Sequence, residues 1–277
     1  AVNQVTPDNG TGLELVLNAA EGCLQIAVTE NEGLLAFEEW FQPAQATETL
    51  AWALDGICHR LDMAPASFRR IACVTGPGSF TGIRLVLSTA AALRRAGRAM
   101  LGPLDYMQAL ATTAAMNLYL LYRQKIWVLT HARRDLVHAR PFISLGPIIP
   151  ACPTAEIALI SPEDARSLVD ADDCFVCGSA LARYPGLFEP SWANFAREKG
   201  PRLVSAITRP SPGSLCLLAR HADYFDEDLE PLYVRPCDAV ENLPQIAEKM
   251  NRDPHETAAD LERMLQRLPG GRQKDQE

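Results

Sequence analysis

Ile71-Ala72-Cys73-Val74-Thr75-Gly76-Pro77-Gly78-Ser79-Phe80-Thr81-Gly82-Ile83-Arg84 is the stretch on which the reading of this 277-residue chain turns. Four apolar residues in a row, 71–74, predict a buried strand. The two glycines around Pro77 permit a tight turn with positive φ, and Gly82 lets a helix begin close to the sheet. Over 82–96 the spacing predicts that helix. At 100° per residue Ile83, Val86, Leu87, Ala90 and Leu93 share one face, which packs on the sheet. The opposite face carries Leu85, Ser88, Thr89, Ala92 and Ala96, with charges mainly confined to the helix ends. Small, uncharged side chains let a second helix approach and match the centre of a protein–protein patch; burial beneath another element of the same chain is the alternative. A strand-to-helix turn also points backbone N–H groups outward, which suits phosphate at Gly76, Gly78, Ser79 and Thr81. It is not a Walker A loop, because no lysine follows its last glycine. By itself the turn is open to three readings: structural, anion-binding, or partner contact.

Upstream, Leu13-Glu14-Leu15-Val16-Leu17 alternates as a strand, a turn around Ala20-Glu21-Gly22 follows, and strands are expected over 23–28 and 33–40. Leu50, Leu54, Ile57, Cys58 and Leu61 make one stripe of a helix over 49–61. Downstream come a short strand near Met100 and a helix N-capped by Asp105. The pattern then starts again. Val128-Leu129-Thr130-His131-Ala132 opens a second hairpin that returns over 136–142. Strands over 158–160 and 174–177 follow, with a helix opened by Ser161 between them, and a helix over 214–224 that crosses back to the first half. This weak self-similarity reads as two related lobes, 13–118 and 119–235, rather than a solenoid; a chance likeness of two hairpins is the competing reading. From 236 onward the chain turns polar. Leu261, Met264, Leu265 and Leu268 lie on one face of a helix over 253–268 that docks on this chain or a partner, and 272–277 reads as a disordered end.

The formal net charge of −8, with 48% apolar and 22% charged residues, is that of an ordinary globular chain. Direct nucleic-acid binding draws most of its affinity from cations on phosphate, so an RNA role here implies a protein partner. No stretch approaches a membrane span, and the opening 1–12 lacks the basic and apolar regions of a signal peptide, so a cytoplasmic protein is expected. The eight cysteines lie far apart, mostly inside apolar runs, and read as reduced core residues. Cys174 and Cys177 are the one close pair, without the second pair a zinc site needs.

The five histidines, His59, His131, His138, His221 and His255, form no helical metal-binding pair. His131 and His138 are placed to approach across the second hairpin. Arg94, Arg95 and Arg98 sit where they complement the negative end of the helix dipole; contact with RNA inside a complex is the other reading. Ser79 has no neighbouring base, and no nucleophile–His–acid series is identifiable.

Gly76-Pro77-Gly78-Ser79-Phe80-Thr81-Gly82-Ile83-Arg84 resembles the GPGSFTG(L/I/V)R signature of the TsaB (YeaZ-type) family, nine consecutive positions. His131-Ala132-Arg133-Arg134 resembles that family's D-A-R-(R/M) turn, and Pro231-Leu232-Tyr233-Val234-Arg235 its late P-(L/V)-Y-(L/V)-R segment. The resemblance implies an α/β, actin/Hsp70-like (ASKHA) fold of two lobes, each a mixed sheet with helices. It also implies a non-catalytic role, without cofactor or metal, beside TsaD, the paralogue that transfers threonylcarbamoyl to a tRNA adenosine. A TsaE-type ATPase joins them, and tRNA is met only through the complex. The implied interface comprises Phe80, Arg84, Leu85, Ser88, Thr89, Ala92 and Ala96, used for TsaD or, when the protein is alone, for a homodimer. Two departures bear on chemistry. The family's opening L-D-T-S corresponds to Leu17-Asn18-Ala19-Ala20, and His131 stands where the family has Asp. Nucleotide-hydrolysing members of this fold place carboxylates there to hold Mg²⁺ or orient water. The competing expectation is an ATP-dependent kinase or ATPase of the same fold that uses Gly76 to Thr81 on phosphate; Asn18 and His131 weigh against it. An independent metallopeptidase lacks ligands.

Overall fold

The computed structural model describes residues 12–41, 46–132, 135–188, 200–232 and 234. Contacts divide the chain into a unit ending at Leu232 and a second unit from Tyr233; the first is described below. The expected helix over 253–268, the end at 272–277, and Arg133, Arg134, Tyr233, Arg235 and His255 lie outside the described residues.

The first sheet has the order β3-β2-β1-β4-β5. It comprises β1 (Leu13–Asn18), β2 (Cys23–Glu30), β3 (Gly33–Phe41), β4 (Phe68–Gly76) and β5 (Met100–Asp105). β2 is antiparallel to β1 and β3, whereas β1, β4 and β5 run parallel. Asn31 and Glu32 join β2 to β3 with φ of 48° and 67°, the two left-handed residues whose twist matches a tight hairpin. Alternation sorts the side chains. Leu15, Leu17, Ile26, Val28, Ile71 and Cys73 share a core with α1 (Ala46–Arg60) and α2 (Phe80–Gly97). Val16, Ala27, Ala72 and Val74 face the other way, toward α3 (Tyr106–Asn117).

The second sheet repeats the plan with β6 (Lys125–His131), β7 (Val137–Ile143), β8 (Cys152–Pro153), β9 (Ala158–Ile160), β10 (Phe175–Cys177) and β11 (Arg202–Leu203). Its order is β11-β10-β6-β7-β8, with β9 also on β7. β6 and β7 are antiparallel, while β10 and β11 run parallel to β6. β6 therefore stands to β7 and β10 as β1 stands to β2 and β4, and the weak likeness of the two hairpins reflects a repeated topology. Two mixed sheets, each an antiparallel hairpin extended by parallel strands with helical crossovers, make this the actin/Hsp70-like fold. The second copy is completed by α4 (Pro162–Asp170), α5 (Ser179–Arg183) and α6 (Pro212–His221).

One core joins the sheets. Val16, Ala72 and Val74 meet Ile126, Val128, Phe142 and Cys177 around α3 and α6. Nine of the twelve residues of α3 are buried, as a helix apolar on every side requires. Asp105 caps it, accepting from the Gln108 N–H at 2.9 Å. α6 packs on α3, β1, β2 and β5, the crossing back expected for 214–224. The sequence reading missed β8, β11 and α5, which are two, two and five residues long and too short to leave a period. It also began the signature helix two residues late. Ser79 is the cap, and Gly82 lies inside the first turn, where its amide donates to Ser79 Oγ.

Candidate functional site

The β4–α2 junction, which carries the signature, is closed against the end of β1. Ser79 N–H donates to the Ala20 carbonyl and Ile83 N–H to the Ser79 carbonyl. Gly82 N–H donates to Ser79 Oγ at 3.3 Å. A Cβ on Gly78 would overlap the Ala20 carbonyl, and one on Gly82 the Ala19 carbonyl. Gly76, at φ +141°, lies under Leu232, whose carbonyl would stand 2.6 Å from an added Cβ. These glycines are required by backbone meeting backbone, whatever else the turn does. Of the four residues read as a phosphate cradle, Gly76 is buried, whereas Gly78, Ser79 and Thr81 are exposed. Three of the junction's amides, those of Ser79, Gly82 and Ile83, are spent inside the chain.

Asn18, at the end of β1, is buried. Its Nδ2 donates to Gln25 Oε1 at 2.7 Å, and its Oδ1 accepts from Ala20 N–H at 3.0 Å. Gln25 Nε2 in turn donates to the Pro210 carbonyl at 2.9 Å. The Asn18 amide thus holds its own hairpin and, through Gln25, ties it to the approach to α6.

Sequence reasoning passed over Glu21 as a turn residue. Its Oε1 accepts from Ser179 Oγ at 2.8 Å and its Oε2 from the Tyr106 hydroxyl at 3.0 Å. Ser179 Oγ also accepts from His131 N–H at 2.8 Å. Burial pushes the Glu21 carboxyl up to about 7, against the lowering effect of its two hydroxyl donors. Nearby, Asp105 meets Arg140 at 2.6 Å, yet burial outweighs that charge and raises its pKa too. The partners of Glu21 lie 85 and 158 residues away in sequence, so no local signal marks it.

His131 and His138 do not share a side of the sheet. The register sets His131 opposite Val137 and His138 opposite Thr130, so neighbouring positions point to opposite faces. The approach expected across the hairpin is corrected by that alternation. His131 Nδ1 lies 3.4 Å from the Tyr184 hydroxyl, and burial first, then Arg183, lowers its pKa. Among the described residues no three His, Cys, Asp or Glu side chains are grouped to hold a metal ion. Cys174 and Cys177 are free and buried.

The remaining feature is the outer face of α2. Ile83, Val86, Leu87 and Ala90 are buried on the sheet. Arg84, Ser88, Ala92 and Ala96 are exposed, and Phe80, Leu85 and Thr89 are half-buried. The Arg84 guanidinium lies 4.0 Å from the Phe80 ring centroid. No charged residue occurs between Arg84 and Arg94. At the far end Arg94 pairs with Asp226 and Asp228, each at 3.0 Å, and Arg95 pairs with Asp228 at 2.5 Å. Arg94 foremost holds the Asp228 carboxyl below its ordinary value. These arginines complement the helix dipole and are themselves complemented by the segment after α6, which the sequence did not reveal.

The model of the family described as TsaD, tRNA N6-adenosine threonylcarbamoyltransferase, matches residues 44–145. That span runs from α1 through the signature to β7. Two solved structures from Pseudomonas aeruginosa match 81% of this chain over 100% of theirs at 18% identity. One is YeaZ, with a TM-score of 0.65, and the other an uncharacterised protein with similarity to peptidase YeaZ, with a TM-score of 0.66. The chain shares the fold of these two structures. No curated protein sequence matches it. Among the described residues no helix is long and apolar enough to cross a membrane.

Proposed function

We propose that the chain is a non-catalytic subunit of the machinery that places threonylcarbamoyl on a tRNA adenosine. It pairs through the outer face of α2 with a catalytic paralogue of the TsaD type, in an assembly that includes a TsaE-type ATPase. tRNA is reached only through that complex, in keeping with a net charge of −8. The observation that carries the reading is the uncharged outer helix face, exposed at Ser88, Ala92 and Ala96 and half-buried at Leu85 and Thr89, flanked by Phe80 and Arg84. Small residues there admit a second helix closely, and the absence of charge spares the pair a desolvation cost. The position of Asn18 and the internally spent amides of the junction favour a subunit over an ATP-dependent enzyme built on Gly76 to Thr81.

The test is co-purification with the TsaD of the same organism, followed by a transfer assay with and without this chain. Ala92→Arg is expected to abolish pairing and the dependence of transfer on this chain, with its thermal melting unchanged. A folded variant that still pairs would place the interface elsewhere. Isothermal titration of the purified chain with ATP and Mg²⁺ is expected to give no heat of binding. Turnover that survives repurification and disappears in a Ser79→Ala, Thr81→Ala variant would restore the enzyme reading.

A further inference from the structure

A cavity of about 330 Å³ lies between β5, α3 and the end of α6. Pro103 and Leu104 of β5 and Phe225, which follows α6, give it apolar walls; Gln108 of α3, His221 of α6 and Asp223 give it polar groups. Apolar walls with a few polar groups are the usual make-up of a small-molecule site, and about 300 Å³ is the lower end of their size. The lining is held in place. Phe225 N–H donates to the Leu101 carbonyl and Leu101 N–H to the Phe225 carbonyl, each at 2.9 Å, which fastens the segment after α6 to β5. The Tyr224 hydroxyl donates to the Ala219 carbonyl at 2.9 Å.

All three polar groups present an acceptor. His221 Nδ1 lies 2.9 Å from the Leu217 carbonyl, which can only accept, so Nδ1 carries the proton and the neutral ring keeps a lone pair on Nε2. Gln108 Nε2 donates to the Ala151 carbonyl at 2.9 Å, which sets the amide's orientation and leaves Oε1 to accept. Asp223 is exposed and, among the described residues, meets no cation. Asp226 and Asp228, a few residues on, are both taken by Arg94. The described residues of the lining include no lysine or arginine.

We propose that this cavity binds a primary alkylammonium, its N–H donors directed at Asp223, His221 Nε2 and Gln108 Oε1 and its stem lying along Pro103, Leu104 and Phe225. An ammonium carries three donors and no acceptor, which matches three acceptors and one negative charge. Phe225, 45% exposed, adds an aromatic ring, to which cations are drawn. An anion finds no cation here. A guanidinium would bring five donors in a planar fork to three acceptors. A metal ion is disfavoured too, because among the described residues no three His, Cys, Asp or Glu side chains are grouped to hold one. The same chemistry has two sources, a free alkylamine and the four-carbon side chain of a lysine on another protein. The site shares no residue with the outer face of α2 and does not depend on the pairing proposed there.

The test uses the full chain. Titration with n-butylammonium chloride, followed by heteronuclear NMR, is expected to give saturable shifts at the Gln108 side-chain amide and the Asp223 and Phe225 backbone amides, with a Kd on the order of 1 mM. n-Butanol, the same stem without the charge, is expected to bind at least about tenfold more weakly. Asp223→Asn is expected to weaken n-butylammonium binding by at least about tenfold with the far-UV circular dichroism unchanged. Should that variant unfold, His221→Phe is the second, expected to weaken binding by about fivefold. Nα-acetyl-lysine N-methylamide separates the sources: binding as tight as that of n-butylammonium means that a partner's lysine can enter, and its exclusion restricts the site to free amines. The proposal is overturned if neither cation gives saturable shifts, or if n-butanol binds as well as n-butylammonium. It is equally overturned by undiminished binding in a folded Asp223→Asn or His221→Phe, or by shifts confined to acids outside the cavity such as Asp226 and Asp228.

Discussion

The two strand-to-helix junctions, β4 into α2 and β10 into α5, occupy equivalent places in the repeated topology and have been put to different uses. In both, a glycine lets the turn touch the carbonyl end of the neighbouring central strand: Gly78 and Gly82 against Ala20 and Ala19, and Gly178 against Leu129. In both, a serine follows. Ser79 accepts from the amide of Gly82 and caps an 18-residue helix. Ser179 heads a helix of five residues and turns its hydroxyl to Glu21 of the first lobe, while accepting from His131 N–H. One junction launches a long helix with an outward face to offer, and the other fastens the lobes together. Shared topology therefore does not assign shared chemistry; the side chain's partner does.

The closeness of the junctions is the easiest part of that comparison to break. Gly82→Ala and Gly178→Ala are each expected to cost roughly 3 kcal/mol or more, since a Cβ meets backbone that has nowhere to go, and Gly178 also sits at φ +117°. Denaturant unfolding measures this. A loss within about 1 kcal/mol for Gly82→Ala would mean the first junction is open enough to accept a ligand.

A smaller effect sharpens the fastening role. The Glu21 carboxyl is held at about 7 in the folded chain, against 4.5 for the free side chain. Between those values the folded state keeps a proton that the unfolded state has released. Its contribution to stability is therefore full below about 4.5, declines as pH rises, and is lost above about 7. Glu21→Gln is expected to flatten that slope, leaving the variant more stable than the parent at pH 8. The difference should be on the order of 1–2 kcal/mol, less than the whole shift because solvent reaches part of the side chain. Paired thermal melts at pH 5 and pH 8 report it, and an identical pH slope in parent and variant would remove Glu21 from the account.

The two serines give the finest test. Ser79→Ala removes a helix cap and is expected to cost about 1 kcal/mol at every pH. Ser179→Ala removes a donor that lowers the Glu21 pKa, so its signature is a displacement of the stability slope to higher pH. If the two variants behaved alike across the pH range, the division of labour between the junctions would collapse.

Much of this molecule was legible before any coordinates. The runs at 13–17, 23–28 and 71–74 gave strands, because period two and short apolar runs are local properties of the chain. The stripe of Ile83, Val86, Leu87 and Ala90 gave the buried face of α2, and with it the identity of the face left over. Asp105 and Ser161 announced their helices as caps, since a cap bonds only three residues away. The resemblance at Gly76 to Arg84 pointed to the fold, because a turn that brings backbone into contact with backbone tolerates few sequences. Tertiary structure alone decided the rest. Glu21 lies beside Ser179, Arg94 beside Asp226 and Asp228, and Gln25 beside the Pro210 carbonyl through contacts that span many tens of residues. The place of β3 at one end of the strand order, among the described residues, is likewise something a strand's own sequence does not carry. Periodicity reports which side of an element is apolar. Only the packing of elements reports what each polar group meets, how far it is from water, and so what its charge costs.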